Sequence, residues 1–198
     1  MSIDARKRIA RLISNIFNPF LVSLVMLLLV SLASISNVLD ALSWALILIA
    51  LSILPVFLSI VYLTHRGRLD GFSISIRGQR TRIYGLAGAC AGAGYVLLSH
   101  LGAPPIFLAT FVAGLSTVVV FMGVNLLWKI SAHTAFMAAS VVVLVILYGL
   151  LAAVTVALVA SVSWARIELG HHSLAQVVSG ALLAASIAVV VFHLFGLI

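Results

Sequence analysis

The chain is 198 residues long, 64% hydrophobic and only 8% charged, with a mean hydropathy of +1.33. That balance excludes a water-soluble domain and implies a polytopic helical membrane protein. Eleven Lys and Arg against four Asp and Glu give a formal charge of +7. No soluble basic face exists to carry nucleic acid, so anionic lipid headgroups or an anionic substrate are the partners this charge suits.

Charged residues divide the sequence into apolar runs. A basic start, MSIDARKRIARL, leads into residues 12–39, which are free of Asp, Glu, Lys and Arg and hold a first span. The run is too long for a signal-peptide core and is expected to stay in the mature protein. Residues 41–65 hold a second span, with Pro55 as a kink. A polar loop follows over residues 64–82. Residues 83–128 exceed the roughly 20 residues that cross a hydrocarbon core, and HLGAPP at 100–105 splits them into two helices. Gly88 and Gly92 form a small-xxx-small pair suited to close helix packing. The lone Cys90 can form no internal disulfide.

Residues 130–165 read as two short spans joined near Tyr148, Gly149 and Leu150, and residues 174–198 as the last. The expectation is an all-α transmembrane bundle of about seven spans, six if residues 130–165 cross once, forming a single domain over 1–198. With seven, all eleven Lys and Arg fall on one face, which the positive-inside rule makes cytoplasmic. The predicted location is the cell membrane, with the C-terminus on the opposite face.

Three polar segments converge on the basic face: IRGQRTR at 76–82, WKISAHTA at 128–135 and ARIELGHHSLAQ at 165–176. They supply Arg77, Arg80, Arg82, Lys129, Ser131, His133, Arg166, His171 and His172, but only one carboxylate, Glu168. Taken singly, each is an ordinary interface residue, snorkelling to headgroups. Taken together they suit a phosphate or diphosphate. Arginines hold phosphoryl oxygens bidentately, helix N-termini add oriented N–H groups, and two histidines offer a nucleophile and a general acid. The set suits metal poorly, because Mg²⁺ needs carboxylates and Zn²⁺ three or four assembled ligands. No metal and no cofactor are expected.

The spacing Arg166-x5-His172-x3-Gln176 resembles the third motif, S-R-x5-H-x3-D, of the type 2 phosphatidic acid phosphatase superfamily. Ser131-Ala132-His133 looks like its second motif, P-S-G-H, and Arg77-x2-Arg80 stands where its first motif lies, in the R-x-x-R form of a membrane branch. The resemblance covers residues 77–176 in family order. It implies an integral membrane lipid phosphatase acting on a phosphate or diphosphate monoester of a lipid, phosphatidic-acid-like or polyprenyl. In it His172 would become phosphohistidine and His133 would protonate the leaving oxygen. Arg166, Arg77, Arg80, Lys129 and Ser131 would hold the phosphoryl group. Ala165, Ile130 and Gln176 replace the motif's serine, proline and aspartate. A glutamine carbonyl accepts the His172 N–H but does not stabilise an imidazolium as a carboxylate does. Glu168, four residues before His172, is the other supporting candidate, against which Gly170 argues as a helix breaker. The rival readings are a phosphoryl or headgroup transferase and a non-catalytic binder of anionic lipid.

Overall fold

The computed structural model describes residues 3–69 and 76–198. Among them are eight α-helices, one 3-10 turn and no strand: α1 (Ile3–Ile16), α2 (Pro19–Ser34), α3 (Val38–His65), α4 (Arg77–His100), α5 (Pro105–Leu127), α6 (Ala132–Tyr148), the 3-10 turn Leu150–Thr155, α7 (Val156–Glu168) and α8 (Leu174–Leu194). Five helical segments are long and apolar enough to cross a membrane, six if the bent pair α1–α2 counts as one; α6 is shorter. Large side chains such as Leu46, Leu58 and Leu182 stand more than half exposed. Outward-facing leucines on apolar helices call for lipid, not water.

Residues up to Met26 together with Lys129–Ile198 form one compact unit, and Leu27–Trp128 a second. In the first, α1 packs on α7, and α6 on both α7 and α8. Val22, Met137 and Val162 form a core under Ile13, Phe17, Met26, Leu158 and Val159. Helix α8 buries Val177, Gly180, Ala184, Ala188 and Val191 at helical spacing. In the second unit α4 packs against α3 and α5, and Trp44 meets Phe107 with ring centroids 5.5 Å apart.

Three expectations need correction. The first run is not one helix. Asn18 accepts from the Leu21 N–H at 3.0 Å, Pro19 opens α2, and the chain bends by 45° between α1 and α2. A capping side chain followed by a proline at the first helical position restarts a helix. The polar loop is shorter than 64–82, because α4 already begins at Arg77; residues 70–75 lie outside the described residues. Gly88 faces α5, where a Cβ would meet Val118 and Leu115 at 3.6 and 3.8 Å, but the tightest approach of α4 and α5 is not at the Gly88–Gly92 pair. A Cβ at Gly92 would meet nothing, whereas one at Gly94 would clash with the Phe111 ring. The break at Gly149 falls where expected. Its φ of +78° ends α6, and the chain resumes as the 3-10 turn.

Candidate functional site

The polar cluster of the first unit is organised by the way α7 ends and α8 begins. Leu169 closes α7 and Gly170 follows with φ +68°. The Gly170 N–H donates to Ile167 O at 2.8 Å and the His171 N–H to Arg166 O at 3.1 Å. This pair of hydrogen bonds with a left-handed glycine is the Schellman C-cap, which satisfies the last carbonyls of α7 and reverses the chain. The reversal leaves His171 exposed and His172 half-buried before Ser173 caps α8. Gly170 therefore removes Glu168 from helical register with His172.

Ser173 and Gln176 form a reciprocal capping box. Gln176 Oε1 accepts the Ser173 backbone N–H at 3.2 Å and also lies 3.2 Å from His172 Nδ1. The backbone donor identifies that atom as the amide oxygen. His172 Nδ1 must then carry the proton and donate, so the Nε2 lone pair is free of it. Burial, then the charges of Lys129 and Arg166, push the His172 pKa down to about 4. The imidazole is neutral at physiological pH.

Arg166 lies beneath the loop, only 6% exposed. Its Nη1 donates to Ser14 Oγ of α1 at 2.9 Å. Its Nε is buried with no hydrogen-bond partner among the described residues. Glu168, two residues on, does not help it. Glu168 Oε2 is held at 2.6 Å by Arg6 of α1, which also takes that carboxylate out of the supporting role toward His172.

The N-terminus of α6 docks on the first turns of α8. The Ser131 N–H donates to Gln176 O at 3.3 Å, and Thr134 Oγ1 to Val177 O at 3.3 Å. Gly180 makes the approach possible, since a Cβ there would fall 2.8 Å from Ser131 O. Ser131 is fully buried, and its Oγ caps α6 by accepting the Thr134 N–H. Its oxygen thus serves the start of α6. The same N-terminus carries the N–H groups of the half-buried Ala132 and His133, which have no intrahelical acceptor. His133 lies within electrostatic reach of Arg166, His172 and His171. Lys129 Nζ donates to His171 O at 3.1 Å and ties the 128–131 segment to the loop.

The first unit thus gathers Lys129, Ser131, His133, Arg166, Glu168, His172 and Gln176. Arg77 and Arg80 belong to the second unit, at the start of α4, where Arg80 Nε donates to Asn125 Oδ1 at 2.9 Å. Asn125 is buried and its Nδ2 donates to Thr81 Oγ1 at 3.0 Å. The sequence reading missed Ser14 and Arg6, which reach the cluster from the far end of the chain. It also missed Ser173, although Ser-x-x-Gln is a readable capping signature. Among the described residues no three His, Cys, Asp or Glu side chains gather to hold a metal ion. Comparison with family models, curated proteins and solved structures returned no match for this chain.

Proposed function

We propose that the chain is an integral membrane lipid phosphatase. The observation that carries the reading is His172, held through Nδ1 by Gln176 at 3.2 Å, close to the buried Arg166, whose Nε has no hydrogen-bond partner among the described residues. A neutral imidazole with one fixed tautomer is a nucleophile. A buried guanidinium with no carboxylate partner suits an arriving phosphoryl group. In this reading Nε2 attacks phosphorus, and the lipid oxygen departs with a proton that the neutral His133 relays from solvent, taking one up as it gives one away. Arg166, Lys129 and the Ala132 and His133 N–H groups stabilise charge on the equatorial oxygens. Water then attacks the phosphohistidine and releases phosphate. The sole carboxylate of the cluster is occupied by Arg6, so the reading uses no metal. The proposed topology has seven crossings, with α6 and the 3-10 turn plus α7 as two short ones, and the site facing the cytoplasm by charge asymmetry.

The test is phosphate release by purified protein from a panel of lipid phosphates and diphosphates, in excess EDTA. His172→Ala is expected to abolish it and His171→Ala to leave most of it. Equal loss in the two variants overturns the nucleophile assignment. Gln176 as a capping residue favours one second reading, a non-catalytic binder of anionic lipid. Binding of these lipids without release in wild type would select it.

A further inference from the structure

Helix α1 is the one helix here with a strongly divided surface, and the phosphatase reading leaves it unused. Its Arg6, Ala10 and Ser14 succeed one another at i, i+4 and i+8 and form the face toward α7; Ala10 and Ser14 are buried. A second stripe, Ile9, Leu12 and Ile16 at i, i+3 and i+7, is 41%, 59% and 47% exposed. A third carries Lys7, Arg8 and Arg11, all exposed, with Asp4 the only acid of the helix. On a helical wheel the apolar and basic stripes stand about a third of a turn apart, each flanking the face packed on α7. A helix apolar on one side and cationic on the other lies in a membrane interface and takes anionic headgroups.

The contacts to α7 give this seating a consequence. Arg6 holds Glu168 at 2.6 Å and Ser14 holds Arg166 at 2.9 Å. Both anchors fall in the last turn of α7, just before the loop that presents His172. The charge complement selects the occupant: three exposed cations beside exposed aliphatic side chains fit an anionic lipid surface, not a zwitterionic one. We propose that α1 lies in the membrane interface, with its apolar stripe among acyl chains and Lys7, Arg8 and Arg11 on anionic headgroups, and that Arg6 and Ser14 transmit this seating to the Arg166 end of α7. Anionic lipid then acts as an ordering ligand of the site. The consequence for catalysis rests on the phosphatase reading; the seating does not.

The experiment uses the 198-residue chain on a Cys90→Ala background, reconstituted in phosphatidylcholine vesicles with or without phosphatidylglycerol. A fluorophore on Leu12→Cys should be quenched by brominated acyl chains, and one on Asn15→Cys much less. Quenching at Leu12 should rise with phosphatidylglycerol and fall with salt. It should drop in Lys7→Gln/Arg8→Gln/Arg11→Gln, each cation contributing roughly fivefold to docking. Phosphatidylglycerol should also slow hydrogen exchange of the 166–172 amides. Arg6→Gln/Ser14→Ala should abolish that slowing while Leu12 stays quenched. Leu12 quenching that ignores both phosphatidylglycerol and the triple substitution overturns the docking. Slowed exchange that survives the double substitution overturns the transmission. If both lipid effects hold and no lipid phosphate is hydrolysed in any vesicle, the phosphatase reading falls and the lipid-seated helix stands.

Discussion

The turn between α4 and α5 and the turn between α7 and α8 share one backbone design. In the first, Gly102 has φ +66°, its N–H donates to Ser99 O at 3.3 Å, and the Ala103 N–H donates to Leu98 O at 3.0 Å. In the second, Gly170 has φ +68° and the matching bonds run to Ile167 O and Arg166 O. The differences lie in the side chains. The residue three before the cap is Leu98 in one, fully buried, and Arg166 in the other, nearly as buried. The first turn continues through Ala103 into Pro104 and Pro105, which present few N–H groups needing acceptors. The second continues through His171 and His172 into a capping box whose glutamine also grips His172. The same C-cap recurs at Gly67 and Gly196, so it is a general way to end a helix, and the α7–α8 turn differs from the α4–α5 turn in carrying a buried arginine. Burying a cation where its counterpart has leucine costs stability, and the proposed phosphoryl site gives that cost a reason.

That comparison can be broken at the equivalent positions. Leu98→Ala should destabilise the protein by about 2–5 kcal/mol, the ordinary cost of a buried leucine, with activity per folded molecule retained. Arg166→Leu should do the reverse. Phosphate release should fall by at least about 10²- to 10³-fold, the effect of removing one charge-stabilising group, while the melting temperature does not fall. Thermal unfolding in detergent alongside turnover checks both. An Arg166→Leu protein that unfolds early would make the arginine a structural residue and leave the two turns alike.

The same pair of turns shows what was legible in the sequence. The glycines and the HLGAPP break are local signals, and so are the alternation of apolar runs and the Arg166-x5-His172 spacing. Asn18-Pro19 is a local signal too, but the hydropathy run hides it, and two helices bent by 45° read as one continuous helix. Gln176 reads in the sequence as the replacement for an aspartate and as an acceptor for His172, whereas Ser173-x-x-Gln176 also specifies a helix start. The rest was not local. Ser14 and Arg6 reach Arg166 and Glu168 across 152 and 162 residues of chain, and no periodicity announces such a pairing. The closeness of Gly180 to Ser131 depends on how α6 and α8 pack. Gly94 rather than Gly88 meets Phe111 for the same reason: small residues permit a close approach, and the facing helix decides which one is used.

A gentler comparison uses the glycines. Gly102→Ala and Gly170→Ala each force a side chain into the left-handed region, costing about 1–2 kcal/mol. The two variants should lose similar stability in chemical denaturation. Only Gly170→Ala should slow phosphate release, because only that turn positions a histidine against Gln176. Equal activities in the two variants would show that the α7–α8 turn tolerates displacement, and that His172 is not held as tightly as its bond to Gln176 implies.

The smallest effect is a shift along the pH axis. The His172 pKa is lowered from 6.5 to about 4, first by burial, then by the charges of Lys129 and Arg166, with His171 adding to these and the Gln176 hydrogen bond opposing them. Protonation removes the Nε2 lone pair, so the attacking form is the neutral one. The acid limb of kcat/KM should therefore descend as the pH falls through about 4, and not near 6.5. Lys129→Gln removes a cation that disfavours protonation, so the pKa should rise and the limb should move to higher pH. It should remain below 6.5, because burial and Arg166 persist. The variant's relative loss of rate should thus be greater in mildly acidic buffer than at neutral pH, whatever its absolute rate. His171→Ala should move the limb the same way and by less. Profiles of kcat/KM for the three proteins check this. A limb near 6.5 that neither substitution moves would mean that the titrating group is not His172, and the α7–α8 turn would lose its claim to the chemistry.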